Sequence, residues 1–153
     1  MKKFFAFLLL VSVCAGLVGC GGKEAAAFDA AALTEDLLGS SAFSVALDEL
    51  PSSKASVFYN VDGSKVVSAV MYHGSGISKE QFAIFEASDE AAAKAMVGVL
   101  QGLVEEWIEA DRSYAPAEVP KLESAVLRQS GKNVILVVAN DGDAAAKIVG
   151  KYL

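Results

Sequence analysis

Cys20 is the residue whose chemistry is easiest to name. It follows Leu17-Val18-Gly19, at the end of an apolar run from Phe4 to Val18 that is preceded by Lys2 and Lys3. A basic start, an apolar stretch and a small residue before a cysteine read together as a secretory signal of the lipoprotein type over residues 1–19. Cleavage between Gly19 and Cys20 is expected to leave that cysteine as the new N-terminus. The chemistry implied is acylation of its thiol by palmitate-like chains. Cys14 follows the bulkier Val13 and suits this processing less well. The run from Phe4 to Val18 has 15 residues, short of the roughly 20 needed to span hydrocarbon, so an uncleaved anchor is not expected.

Other reactive residue types fail on spacing. His73 is the only histidine and precedes Gly74-Ser75-Gly76, which invites a nucleophile reading. A serine nucleophile needs a base within hydrogen-bond reach and oxyanion donors, and neither follows from adjacency in sequence. The pair reads instead as a strand residue and a turn. Asn140-Asp141-Gly142-Asp143 has the first oxygens of a calcium loop without the later donors or the closing glutamate, so a helix N-cap is expected there. With one histidine, and Cys20 acylated, neither a metal centre nor a cofactor is expected. Glu105, Glu106, Glu109 and Asp111 read as a solvated helix face. Trp107, Tyr114 and Pro116 form an aromatic and proline group whose default role is packing and whose alternative is a surface for a partner.

The elements that hold these residues follow from periodicity. Leu33, Leu37 and Leu38 after Asp29 predict a helix stopped by Gly39-Ser40-Ser41, and a second short helix is expected over 43–50, before Pro51. Residues 55–59 are apolar beside the turn-forming Asn60-Val61-Asp62-Gly63, which leaves strand or helix open. Residues 68–73 and 81–87 predict paired strands. Ser88-Asp89-Glu90 opens the longest helix, ending near Arg112, with Met96, Leu100, Leu103 and Trp107 in one apolar stripe. A second stripe of Ala91, Ala95, Gly98 and Gly102 predicts close approach of another backbone. Residues 122–129 and 134–139 form a hairpin about Ser130-Gly131-Lys132-Asn133. The unbroken run Val134 to Val138 predicts a strand covered on both faces. A last helix, capped by Asp141 or Asp143, turns Ala145, Ile148, Val149 and Tyr152 inward. The expected fold is a single α+β domain over residues 28–153. It has about four mostly antiparallel strands, short N-terminal helices, and the long and C-terminal helices packed on the sheet.

Charge and tether bound the partners. Without Lys2 and Lys3, 11 of the 13 basic residues remain against 19 acids, a formal charge near −8. That sign argues against nucleic acid and against electrostatic attraction to anionic headgroups. Attachment to the membrane is therefore expected through lipid on Cys20, for which two acyl chains suffice. Residues 20–27 are the lipidated cysteine and a linker. The seven residues Gly21 to Ala27 reach at most about 25 Å, so a partner is expected to be membrane-bound or small.

Several segments carry a resemblance: Leu17 to Cys20 with Gly21-Gly22-Lys23, Tyr59-Asn60-Val61-Asp62, Phe82-Ala83-Ile84-Phe85-Glu86-Ala87, Tyr114-Ala115-Pro116-Ala117-Glu118, Leu122-Glu123-Ser124-Ala125 and Gly131-Lys132-Asn133-Val134. In these the chain resembles a family of short bacterial lipoproteins catalogued as domain of unknown function 4358, typical of Gram-positive anaerobes. The segment after Phe85 is acidic and alanine-rich here, where that family is more lysine-rich. The resemblance implies the address and the fold, and it brings no catalytic residues. The expectation is a lipid-anchored protein on the extracytoplasmic face, acting as a non-enzymatic binding or accessory module for an envelope protein or small ligand. The alternative is a carboxylate-dependent hydrolase of wall glycan or peptide, which requires paired acids in a cleft.

Overall fold

The computed structural model describes residues 27–153. The signal segment, the Gly19-Cys20 junction and the tether to Ala26 lie outside the described residues.

Helix α1 (Ala30–Leu38) starts at Asp29, whose carboxylate accepts the Ala32 N–H at 2.9 Å, and buries Leu33 and Leu37. Strand β1 (Leu47–Leu50) follows, then helix α2 (Ala55–Tyr59), strand β2 (Val66–Gly74) and strand β3 (Gln81–Ala87). Helix α3 (Glu90–Tyr114) runs for 25 residues, capped by Asp89 through the Ala92 N–H at 2.8 Å. A short helix α4 (Val119–Glu123) leads into the hairpin of β4 (Val126–Ser130) and β5 (Asn133–Val138), and helix α5 (Gly142–Val149) closes the chain. None of the helices described is long and apolar enough to cross a membrane.

The five strands form one antiparallel sheet in the order β1-β2-β3-β5-β4. Both faces are covered. Against one face α2 and α3 bury Tyr59, Met96, Leu100 and Leu103 over Met71, Phe85, Val134 and Leu136. Against the other, α1 and α5 bury Leu33, Leu37, Ala145 and Val149 over Phe82, Ile84, Ile135 and Val137. Two covered faces explain why β5 reads as an unbroken apolar run from Val134 to Val138, since successive side chains enter opposite cores. The tight β4–β5 turn places Gly131 at φ +54°, a left-handed conformation that glycine adopts freely.

Three expectations change and one open segment is settled; one change is the first hairpin strand, which starts at Val126 and not at 122 because Val119–Glu123 forms α4. The short helix over 43–50 is absent, and its second half is β1, which raises the strand count from about four to five. Leucines at i and i+3 suit one helix turn. They equally suit a strand whose two faces are both covered, and here Leu47 packs into one core while Leu50 packs against the other. The ambiguous 55–59 segment is helical, ending at Asn60 with φ 54°. Among the described residues the small-residue stripe on α3 meets no second element, because a Cβ at Gly98 or Gly102 would have nothing within 4 Å.

The sheet has an uneven border. The β1 strand pairs with Met71–Gly74 alone, leaving Val66–Val70 without a paired strand on that side among the described residues, and the β2–β3 register shifts between Val66 and Ser68.

Candidate functional site

At the end of the sheet where β2 passes to β3, charged side chains from distant parts of the sequence converge. Glu80 is fully buried. Its Oε1 accepts a hydrogen bond from Lys121 Nζ at 2.8 Å and another from the Ser44 hydroxyl, and its Oε2 accepts the Ser44 N–H at 2.6 Å. Lys121 Nζ also donates to Glu118 Oε1 at 3.0 Å, and Glu118 Oε2 accepts the Lys79 N–H at 2.8 Å. Lys79 Nζ stands 3.2 Å from Oδ2 of Asp111, itself 1% exposed, in an ion pair whose angle does not make a hydrogen bond.

The network ties four segments together: the loop before β1, the β2–β3 connection, the end of α3 and the start of α4. Burial pushes the Glu80 carboxyl up, but its bonds from Lys121 and Ser44 outweigh that and hold it below its ordinary value. Burial likewise pushes Lys121 down, and its two glutamates more than reverse this, holding it above its ordinary value. A general acid needs a raised carboxyl and a nucleophilic lysine a lowered amine. The shifts here run the other way, and the hydrogen bonds and ion pairs join the four segments as a clamp.

Beside the clamp lies a cleft of about 310 Å³ between α2, the β2–β3 connection and α3, with Val57, Phe58, His73, Lys79, Gln81 and Trp107 in its walls. The Tyr59 hydroxyl donates to Gln81 Oε1 at 2.9 Å and fixes that amide. Burial pushes the Tyr59 phenol well above its ordinary value. Phe58 and His73 pack with ring centres 6.4 Å apart. His73 Nδ1 lies 3.0 Å from the Gly74 carbonyl, which only accepts, so Nδ1 is placed to donate. No described hydrogen bond joins His73 to a serine, and the residue is a cleft wall.

The residues singled out from sequence separate in space. Trp107 is half-buried, its ring 6.3 Å from Tyr59 in an edge-on pair. Tyr114 is 74% exposed at the last position of α3, and Pro116 is exposed beyond it. Among the described aromatic pairs Trp107 meets Tyr59 and none includes Tyr114. Glu105, Glu106 and Glu109 are exposed, whereas Asp111 departs from the solvated-face reading and turns inward to Lys79. Asp141 caps α5 through the Ala144 N–H at 2.9 Å. The residues that sequence reasoning missed are Ser44, Lys79, Glu80, Glu118 and Lys121. Glu118 and Lys121 could have been found as an i,i+3 pair, but Glu80 lies 36 residues from Ser44 and 41 from Lys121.

No protein-family model matches the chain, and no curated protein or solved structure matches it.

Proposed function

We propose that this chain is a membrane-tethered extracytoplasmic lipoprotein that acts as a non-enzymatic binding or accessory module of the cell envelope. One observation carries the reading: the Gly19-Cys20 junction at the end of an apolar run, followed by only seven residues before Phe28. Membership of the lipoprotein family named above is part of the proposal and rests on the segments quoted for it.

The geometry of the site supports a binding role. The clamp holds one wall of an open cleft, and the apolar side chains of Val57 and Phe58 stand 72% and 45% exposed beside it. Exposed apolar groups held on a fixed frame suit recognition. The excess of acids points away from nucleic acid and toward an envelope protein or small ligand. Glycan or peptide hydrolysis finds less support, because the buried Glu80 and Glu118 both bind Lys121.

The test is fractionation and intact mass of the natural product. The mature chain should begin at an acylated Cys20 and partition with membranes, and Cys20→Ser should release it to the soluble fraction. A bare thiol at Cys20 or a retained leader would overturn the proposal.

A further inference from the structure

The described N-terminus and the cleft that carries the exposed Val57 and Phe58 lie at opposite ends of the sheet. Ala27 and Phe28 share a cleft of about 660 Å³ with Gly131 and Lys132 of the β4–β5 turn and with Leu153. That turn marks one end, where Asn133 pairs with Glu86 and Ala87 with Val66. His73, Gln81 and Val138 align at the other end. There Phe58 packs on His73, and Ile77, in the β2–β3 connection, is 65% exposed. The nine residues of β2 separate the two ends by about 25 Å at the usual rise per strand residue.

We infer that the anchored domain stands with its strands directed away from the membrane and uses the exposed Val57 and Phe58, together with Ile77 between the cleft-lining Gly76 and Ser78, to dock a protein on its far side. The partner would present an apolar side chain flanked by lysine or arginine. The inference deepens the lipid-anchored reading and rests on it for orientation. Two observations select the occupant. The described chain begins beside Gly131, so a membrane-embedded or headgroup ligand would meet that end first. The domain is acidic, and Asp48, exposed beside the cleft, pairs across the strands with His73 and so shares its face of the sheet. An apolar anchor with a basic flank satisfies both the exposed hydrophobic surface and this charge.

The test uses the full acylated chain in its native membrane. A photo-crosslinking residue is placed at Phe58, at Ile77 or, as the opposite-end control, at Lys132. Phe58 and Ile77 should trap the same protein, through a peptide containing an apolar residue next to lysine or arginine. Lys132 should not trap it. With the crosslinker kept at Ile77, Phe58→Ser should reduce the adduct at least tenfold, and raised salt should weaken it. Equal adducts from both ends, a nucleic acid or small-molecule adduct, or no effect of Phe58→Ser would overturn the inference. In vesicles carrying the acylated chain, a fluorophore on Lys132→Cys should be quenched by headgroup nitroxides much more than one on Ile77→Cys. Equal quenching overturns the orientation. Failure of the chain to pellet with vesicles instead removes the anchored reading itself, so the two failures are distinct.

Discussion

Lys121 places its ammonium 2.8 Å from Glu80 Oε1 and 3.0 Å from Glu118 Oε1, so that one cation is shared by two carboxylates from different segments. Removing one partner of a buried ion pair leaves an uncompensated charge and costs about 3–5 kcal/mol. Glu80→Ala should therefore lower stability by about 3 kcal/mol in denaturant unfolding, with the m-value unchanged.

Lys121→Met should behave differently with pH. It leaves two carboxylates facing one another, and like charge raises the pKa of one of them above its unfolded value. Stability held by the protonated form is present at low pH and lost as pH rises through that raised value. The deficit against the parent chain should be about 3 kcal/mol at pH 7 and should shrink toward pH 4. Melting curves across that range check the sign.

The parent chain should show the opposite acid limb. Glu80 is held below its ordinary value by the bonds that overcome its burial, and Asp89 is held low chiefly by the Ala92 N–H it caps. Both contribute stability above the ordinary carboxylate range, near pH 4, and lose it as pH falls through their depressed values. Lys121, held high, contributes below its unfolded value and loses that contribution only as pH rises above about 10. Stability against pH should therefore form a plateau from about pH 5 to 10, and a melting temperature falling steadily from pH 7 to 5 would contradict it.

Gly98→Ala and Gly102→Ala should each stabilise the protein, because a Cβ at either position meets nothing within 4 Å. Glycine in a helix interior is worse than alanine by about 0.8–1 kcal/mol. The double variant should gain about 1.5 kcal/mol in chemical unfolding. A loss would mean that another backbone does press on this stripe.

Tyr59→Phe removes one hydrogen bond, to Gln81, from an otherwise apolar contact with Phe85 and Trp107. The expected cost is about 1 kcal/mol. Because burial raises the phenol above its ordinary value, its contribution is present below pH 10 and lost as pH rises further. The variant should unfold less steeply in alkali, followed by far-UV circular dichroism.

The central elements were legible because each satisfies a strong local rule. Val134 to Val138 has no polar interruption, and α3 combines an Asp89 cap with the repeat of Met96, Leu100 and Leu103. Strand β1 was not legible, since Leu47 and Leu50 fit two periodicities and only the sheet on both sides decides between them. The clamp was hidden for another reason. Its attractions join Ser44, Glu80 and Lys121 across gaps of 36 and 41 residues, and charge at long separation leaves no periodic trace. Asp111 illustrates the same point: beside Glu105, Glu106 and Glu109 it resembles its neighbours, and only Lys79 turns it inward.

The incomplete pairing of β2 matters wherever many copies are concentrated on one surface. Past Leu50 the border of the sheet is kinked by the shifted register at Val66 and Ser68. A straight, flat border invites a neighbouring molecule to continue the ladder, and a kinked one does not. Crowded copies would therefore find no straight ladder to extend along Val66–Val70.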